Sequence, residues 1–298
     1  DHKGPRAEIL QALVDSPRTS WISEVGGDYQ YRMTVCAKDI YELSEFFDQL
    51  SRQFGNVFFE KSVTVWVSWR IFRRKYLSDK PVSVAALCST ELARPVSIDE
   101  SDHRILSGLS NLEYGSRREL AELLGLPLST LEHRIKRLRD KEVLLGFCYS
   151  IDVSKLGMHV YRLLIFVNAL NLDLKERFSQ FFEGHRNVVS FVHCIGSWDY
   201  ELRVEVQDPQ EIVQLKQQLY ELFGNDISTV KVLPMFSDIK ISNYPFYDIT
   251  AELPRAGRPH GDTVLATSNR VANQSGPTNQ NSCLLYTSDA ADELRGVG

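Results

Sequence analysis

The side chains best placed to do chemistry fall in one short stretch, Arg117 to Lys141, RRELAELLGLPLSTLEHRIKRLRDK. In its second half Thr130, His133, Arg134 and Arg137 recur at three- and four-residue spacing, which puts them on one face of an α-helix. Short polar groups on such a face can hydrogen-bond base edges in a major groove, and guanidinium groups can hold phosphates. Ser129, Thr130 and His133 are the candidates for base edges. Arg117, Arg118, Arg134 and Arg137 are the candidates for phosphates. Arg117 and Arg118 open a helix, where positive charge opposes the helix dipole, so the pair needs some other reason, for which a phosphate is one candidate. A leucine stripe with a basic outer face is, alone, an ordinary solvated amphipathic helix. Its pairing with a second helix sharpens the reading.

That second helix lies just upstream. Leu120, Leu123 and Leu124 form its apolar stripe, and Gly125 is a natural stop. Leu128, Leu131, Ile135 and Leu138 then form the inner stripe of the basic helix. Two short helices around a tight glycine turn read as a helix-turn-helix. Asp99-Glu100-Ser101-Asp102 begins a third helix, its acidic residues suiting the dipole, with Ile105, Leu106 and Leu109 inward. Val143–Ser150 is an extended run that could serve as a wing. Pro127 precedes the basic helix, and Ser129 with Glu132 offers an alternative capping box, so a slightly later helix start is expected.

The bulk composition sets bounds on the rest. With 298 residues, 43% hydrophobic and 24% charged, the chain has the makeup of about two globular domains. The net charge of −5 excludes a uniformly basic coat but not a local basic face. No window approaches the roughly 20 apolar residues of a membrane span. Cys36, Cys88, Cys148, Cys194 and Cys283 form no CxxC pair. Reduced thiols in a cytoplasmic protein are the expectation, with no metal and no cofactor.

The chain also repeats itself. Pro5–Leu13 reads as a helix, Trp21–Val25 and Tyr29–Ala37 as strands, and Ile40–Phe54 as a helix with Leu43, Phe46, Leu50 and Phe54 inward. The same order returns in Leu174–Phe182, Val188–Ile195, Trp198–Val206 and Gln210–Phe223. A constant shift of about 169 residues superposes Gly27 on Gly196, Asp39 on Asp208 and Phe54-Gly55-Asn56 on Phe223-Gly224-Asn225. The second copy adds a strand in front, Val160–Asn168, and another behind, Ile227–Leu233, giving the βαββαβ order of a ferredoxin-like unit. In its strand Trp198–Val206, Tyr200, Leu202 and Val204 face one way, and Glu201, Arg203 and Glu205 the other, toward solvent or a partner. The fold expected is α+β: a winged helix-turn-helix plus two ferredoxin-like units, the first incomplete. Its parts are 1–77 (first unit), 78–98 (linker), 99–149 (winged helix), 150–247 (second unit) and 248–298 (tail). By the repeat arithmetic, roughly 70 or more residues are expected upstream of Asp1.

DHRILSGL, then RRELAELLGL, then HRIKRLRDKEVL, then a ferredoxin-like unit carrying IGSWD, together resemble the leucine-responsive/asparagine-operon (Lrp/AsnC) regulators. The resemblance covers Asp99 to Phe246 in full order and extends, in decayed form, over Arg6 to Leu77. It implies a DNA-binding winged helix and a sensor domain that pairs with another sensor, by self-association or within one chain. It further implies a small effector, commonly an amino acid, between paired sensors. The family's loop stands here as Gly196-Ser197-Trp198-Asp199, where Asp199 could accept from an amino group and Gly196 let the backbone approach. In the first copy it reads Gly27-Asp28-Tyr29-Gln30, with an amide in place of the carboxylate.

The function expected is therefore a sequence-specific DNA-binding transcription regulator modulated by a small ligand, and not an enzyme. Two alternatives accompany it. Some relatives of this layout decarboxylate a siroheme-type tetrapyrrole with sensor-domain histidines, for which His159, His185 and His193 are available. The other is a ligand-sensing assembly module with a silent head. Ala251–Ser282 has the composition of a disordered tail. Cys283–Glu293 resembles a translated sequencing adapter and is expected to carry no function.

Overall fold

A computed structural model describes residues 5–55, 61–78, 87–89, 96–149, 151–168, 172–242 and 244–247, with the backbone of 283–284. The order of elements begins α1 (Pro5–Asp15), β1 (Thr19–Val25), β2 (Tyr31–Val35), α2 (Ile40–Phe54), β3 (Thr64–Ile71) and β4 (Leu87–Cys88). It continues α3 (Glu100–Asn111), α4 (Arg117–Leu123), α5 (Leu128–Asp140), β5 (Cys148–Tyr149), β6 (His159–Val167) and α6 (Leu172–Gly184). Then come β7 (Val188–Gly196), β8 (Tyr200–Val206), α7 (Gln210–Phe223), β9 (Ile227–Ile241) and β10 (Cys283–Leu284). Most of the expected linker, 79–86 and 90–95, lies outside the described residues, as does the tail beyond 247 apart from 283–284, which pair with β5.

Alternation in β6 to β9 sends one set of side chains under α6 and α7. Leu163, Ile165, Phe191, Tyr200, Leu202, Val204, Leu215 and Leu219 are buried there. The Phe178 ring sits edge-on to Tyr200 and Phe223 at 5.1 and 4.7 Å. Strand order β9-β6-β8-β7 is the ferredoxin-like arrangement.

The first copy does not stand apart. All its strands join the same sheet, whose order is β2-β1-β9-β6-β8-β7-β3-β4. Each copy sends its last strand across to the other: β9 pairs with β1, and β3 pairs with β7. This exchange explains why β9 runs to Ile241 rather than stopping at Leu233, since its second half has a partner in the other copy. It also explains β3, a strand the sequence reading did not name although Val65, Val67, Trp69 and Ile71 alternate.

The 169-residue shift holds strand by strand. In the β1·β2 hairpin Thr19 faces Val35, and Trp21 to Glu24 face Thr34 to Tyr31. In β7·β8 the shifted partners recur, Val188 with Val204 and Ser190 to His193 with Arg203 to Tyr200, with the bulge in the same place. Across the copies, Ser23·Asp238, Glu24·Ser237 and Val25·Met235 correspond to Val192·Trp69, His193·Ser68 and Cys194·Trp66. The two copies are thus related by a pseudo-twofold axis through the sheet.

The winged helix has its own core of Ile105, Leu106, Leu109, Leu120, Leu124, Leu131, Ile135, Leu138 and Leu144. Tyr244, from the strap that follows β9, is buried in that core. The strap grips α3 at three points. Ser107 Oγ donates to the Tyr247 carbonyl at 2.6 Å, Asn111 Nδ2 donates to the Tyr244 carbonyl at 3.3 Å, and the Tyr244 hydroxyl bonds His103 Nδ1 at 2.6 Å. Cys36, Cys88 and Cys194 are unbridged thiols. Among the described residues no helix is long and apolar enough to cross a membrane.

Candidate nucleic-acid interface

Helix α4 is fixed at its start by Ser116, whose hydroxyl accepts from the Glu119 N–H at 3.2 Å, while the Glu119 carboxylate accepts from the Gly115 N–H at 2.7 Å. It ends where Gly125 turns left-handed, φ +65°, letting the Leu126 N–H reach back to the Ala121 carbonyl at 2.9 Å. The turn then delivers Pro127 as the N-cap of α5, with no side-chain cap. The alternative capping box through Ser129 and Glu132 does not form. Proline needs no N–H at this position and its extended ψ, 139°, already leads into the helix, which starts at Leu128.

Leu131, Ile135 and Leu138 turn into the core, and Ser129 and His133 are exposed on the other side with Thr130 half-buried beside them. Arg118 is exposed at the start of α4. Arg117 and Arg139 flank the Phe147 ring at 6.0 and 5.4 Å, the arginine at each side presented over an aromatic face. Lys136, one turn beyond His133 and exposed, belongs to this surface although the sequence reading passed over it. The i+3 step from His133 was the available signal.

Arg134 and Arg137 are placed otherwise than expected for phosphate ligands. Arg134 Nη1 donates to both oxygens of Asp99 at 2.8 Å and to Asp102 at 2.9 Å, and Arg137 pairs with Asp102 and lies 3.5 Å from Asp99. The acids come from the start of α3, where Asp99 and Asp102 form a reciprocal capping box. Asp102 is 1% exposed, so its charge needs these guanidiniums close by. Hydrogen bonds from Arg134 and from the Asp102 backbone hold the Asp99 carboxyl down to about 2. Its hydrogen bonds to Asp99 and then to the Asp102 carboxylate raise Arg134 above its ordinary value. Both arginines therefore tie α5 to α3.

The sensor loop is likewise occupied. Gly196 has φ +139°, and a Cβ there would lie 2.4 Å from the Val63 carbonyl, so only glycine fits against the first copy. The Ser197 N–H and hydroxyl both donate to that carbonyl at 3.1 Å. Asp199 Oδ2 accepts from the Val167 N–H at 2.9 Å, so this carboxylate closes the end of β6 rather than standing open to an amino group. Trp198 is half-buried in the same turn. In the first copy Asp28 pairs instead with Lys231 at 2.6 Å, and the Tyr29 hydroxyl donates to or accepts from Ser62 Oγ at 2.8 Å.

The polar face of β8 is buried against the first copy. Glu201 accepts from Arg32 at 2.6 Å and lies 3.2 Å from Arg162, while Glu205 is held by Arg74 at 2.8 Å, Arg203 at 3.0 Å and Tyr76. Burial, then the nearby Arg32, pulls Arg162 down to about 9. Of the three histidines, His159 is exposed at the start of β6, His185 accepts the Asn187 N–H at its Nδ1, and His193 stacks on Tyr200 at 5.3 Å. Burial lowers both His185 and His193. Among the described residues no group of three metal-ligating side chains comes together.

Residues 98–144 match the family model described as winged helix-turn-helix DNA-binding. The chain is 30% identical over 129 residues to the HTH-type transcriptional regulator AldR of Mycobacterium tuberculosis, covering 42% of this chain and 70% of that one. It is 36% identical over 144 residues to the HTH-type transcriptional regulator Ptr1 of Methanocaldococcus jannaschii, covering 47% and 95%. Among solved structures it shares its fold with the siroheme decarboxylase NirDL, at TM-score 0.53 and 15% identity, over 83% of this chain and 72% of that one. That likeness concerns architecture and extends over both sensor copies. A matched DNA-binding winged helix, set between two ferredoxin-like sensors and similar in sequence to regulators, identifies the chain as a member of the Lrp/AsnC-type family of helix-turn-helix transcription regulators.

Proposed function

We propose that this chain reads DNA sequence with the outer face of α5 and is regulated by a small ligand, an amino acid, through its paired sensors. Ser129, Thr130 and His133 meet base edges, while Arg117, Arg118 and Lys136 meet phosphates. The observation that carries the reading is the division of α5: three apolar residues at most 1% exposed on one side, and Ser129, His133 and Lys136 exposed on the other. Arg134 and Arg137 are positioning residues in this scheme, since their bonds to Asp99 and Asp102 lock the helix at a fixed angle to α3. A single head with about three phosphate contacts binds weakly, so a second head is needed, on half-sites roughly 34 Å or a multiple apart.

For the ligand, the loop Gly196-Ser197-Trp198-Asp199 remains the proposed contact, through its main chain, Ser197 and Trp198. The loop rests on Val63 of the other copy, which supports a ligand there being felt by both. The test is selection of duplexes from a random pool, then titration of the chosen duplex at several salt concentrations with and without each amino acid. A reproducible preferred sequence whose binding shifts with one amino acid supports the proposal. Recovery of no preferred sequence ends the DNA reading, and no shift with any amino acid ends the effector reading.

A further inference from the structure

We propose that the two sensor copies form a matched pair: the surface of β1, β2 and β3 fits the surface of β6 to β9, and neither fits a copy of itself. The evidence lies on the pseudo-twofold axis. Arg32 and Glu201 are 169 positions apart, hence equivalent, and they touch each other at 2.6 Å. In a pair of identical units the residue at this position meets its own duplicate. Here an arginine meets a glutamate, with Glu201 wholly buried and the Arg32 side chain 11% exposed. Arg32 also lies over the Trp66 ring at 5.4 Å, so the guanidinium is sandwiched between a carboxylate and an aromatic face.

A second observation, off the axis, points the same way. Asp238 on β9 accepts from Trp21 Nε1 and from Ser23 Oγ, both at 2.7 Å. At the equivalent positions on the other side stand Trp69 for Asp238, Ser190 for Trp21 and Val192 for Ser23. Two second copies pairing with each other would bring Glu201 against Glu201 and leave Asp238 opposite Val192. Two first copies would bring Arg32 against Arg32 and set Ser23 opposite Trp69. Two first copies would bury like charges on the axis, and two second copies would lose the Arg32–Glu201 bond and the Trp21 and Ser23 donors to Asp238, so each self-pairing is disfavoured by its own loss. Arg162 belongs to the second copy and stays beside Glu201 in either pairing, so what a pair of second copies forfeits on the axis is the Arg32 bond. Duplication within one chain is what permits an unlike pair on the axis. The partner this sheet surface takes is accordingly the opposite copy. Any association that brings a second reading head uses a different surface.

Two cysteine pairs in the full chain test this. In the assigned pairing Glu24 faces Ser237 across β1 and β9. In a self-pairing of second copies His193 takes the place of Glu24 and faces Ser237 of another chain. Glu24→Cys with Ser237→Cys is expected to oxidise within the chain to a faster-migrating monomer on a non-reducing gel. His193→Cys with Ser237→Cys is expected to give no covalent dimer above the wild-type background. A covalent dimer from the second variant overturns the proposal, as does failure of the first to crosslink. A charge exchange supplies an independent measurement. Arg32→Glu alone is expected to lower Tm by roughly 5 °C or more, and adding Glu201→Arg to recover part of that loss. No recovery in the double variant overturns the axis argument.

Discussion

Asp99 and Asp102 hold the basic side of α5 from beneath, and this separates arginines that position from arginines that contact. Arg137→Ala removes a bond to a buried carboxylate and is expected to cost about 1–3 kcal/mol of stability, with the salt dependence of DNA binding unchanged. Arg118→Ala is expected to behave the opposite way. Its stability stays within about 0.5 kcal/mol of wild type, while the slope of log K against log salt shrinks by about 0.9. Melting curves and titrations at several salt concentrations tell the two apart. Asp99 adds a pH dependence. Its carboxyl, ordinarily near 3.8, is held to about 2 in the folded chain. A depressed acid stabilises fully above its unfolded value and loses that contribution as pH falls toward the folded one. Asp99→Asn is therefore expected to flatten the loss of stability between about pH 4 and pH 2, measured by acid unfolding. None of this was legible in the sequence, since periodicity along α5 describes one helix, and the acids lie 32 and 35 residues away.

At the scale of elements, local chemistry was a good guide wherever an element's partners were its own neighbours. The stripes of α4 and α5, the glycine turn at Gly125 and the acidic start of α3 all follow from spacing and capping. On sequence, Pro127 followed by Ser129 and Glu132 points to a later start of α5, because serine with glutamate makes a good capping box. In the folded chain the proline's own backbone angle serves instead. The ends of β9 and the whole of β3 were harder, because each owes its length to a strand from the other copy. Gly196 belongs to the same contact. Gly196→Ala combines an unfavourable φ with a Cβ driven into the Val63 carbonyl, and is expected to destabilise by about 1–3 kcal/mol in thermal melts. Asp199 was readable as a loop carboxylate, but its bond to the Val167 N–H depends on how the loop folds back.

For the whole molecule, one sheet shared by two repeats makes the sensor a single cooperative body rather than two beads. Ile22 in the first copy and Leu202 in the second are both fully buried. Ile22→Ala and Leu202→Ala should each cost about 2–5 kcal/mol and move the same calorimetric transition, whereas two separately shifted transitions would show that the copies melt independently. The repeat itself was plain from residues such as Phe54-Gly55-Asn56 and Phe223-Gly224-Asn225, but what it builds was not, since exchange of last strands leaves no mark in either copy alone. The strap beyond β9 adds a mechanical constraint. The reading head joins the sheet by backbone at both its ends, from β4 into α3 and from α5 into β6, and it is pinned again by Tyr244 and Tyr247. A body held at several points behaves as a bracket and not as a ball on a string. A distortion of the sheet would then be carried into the angle the head offers to a duplex instead of being lost in a loose tether.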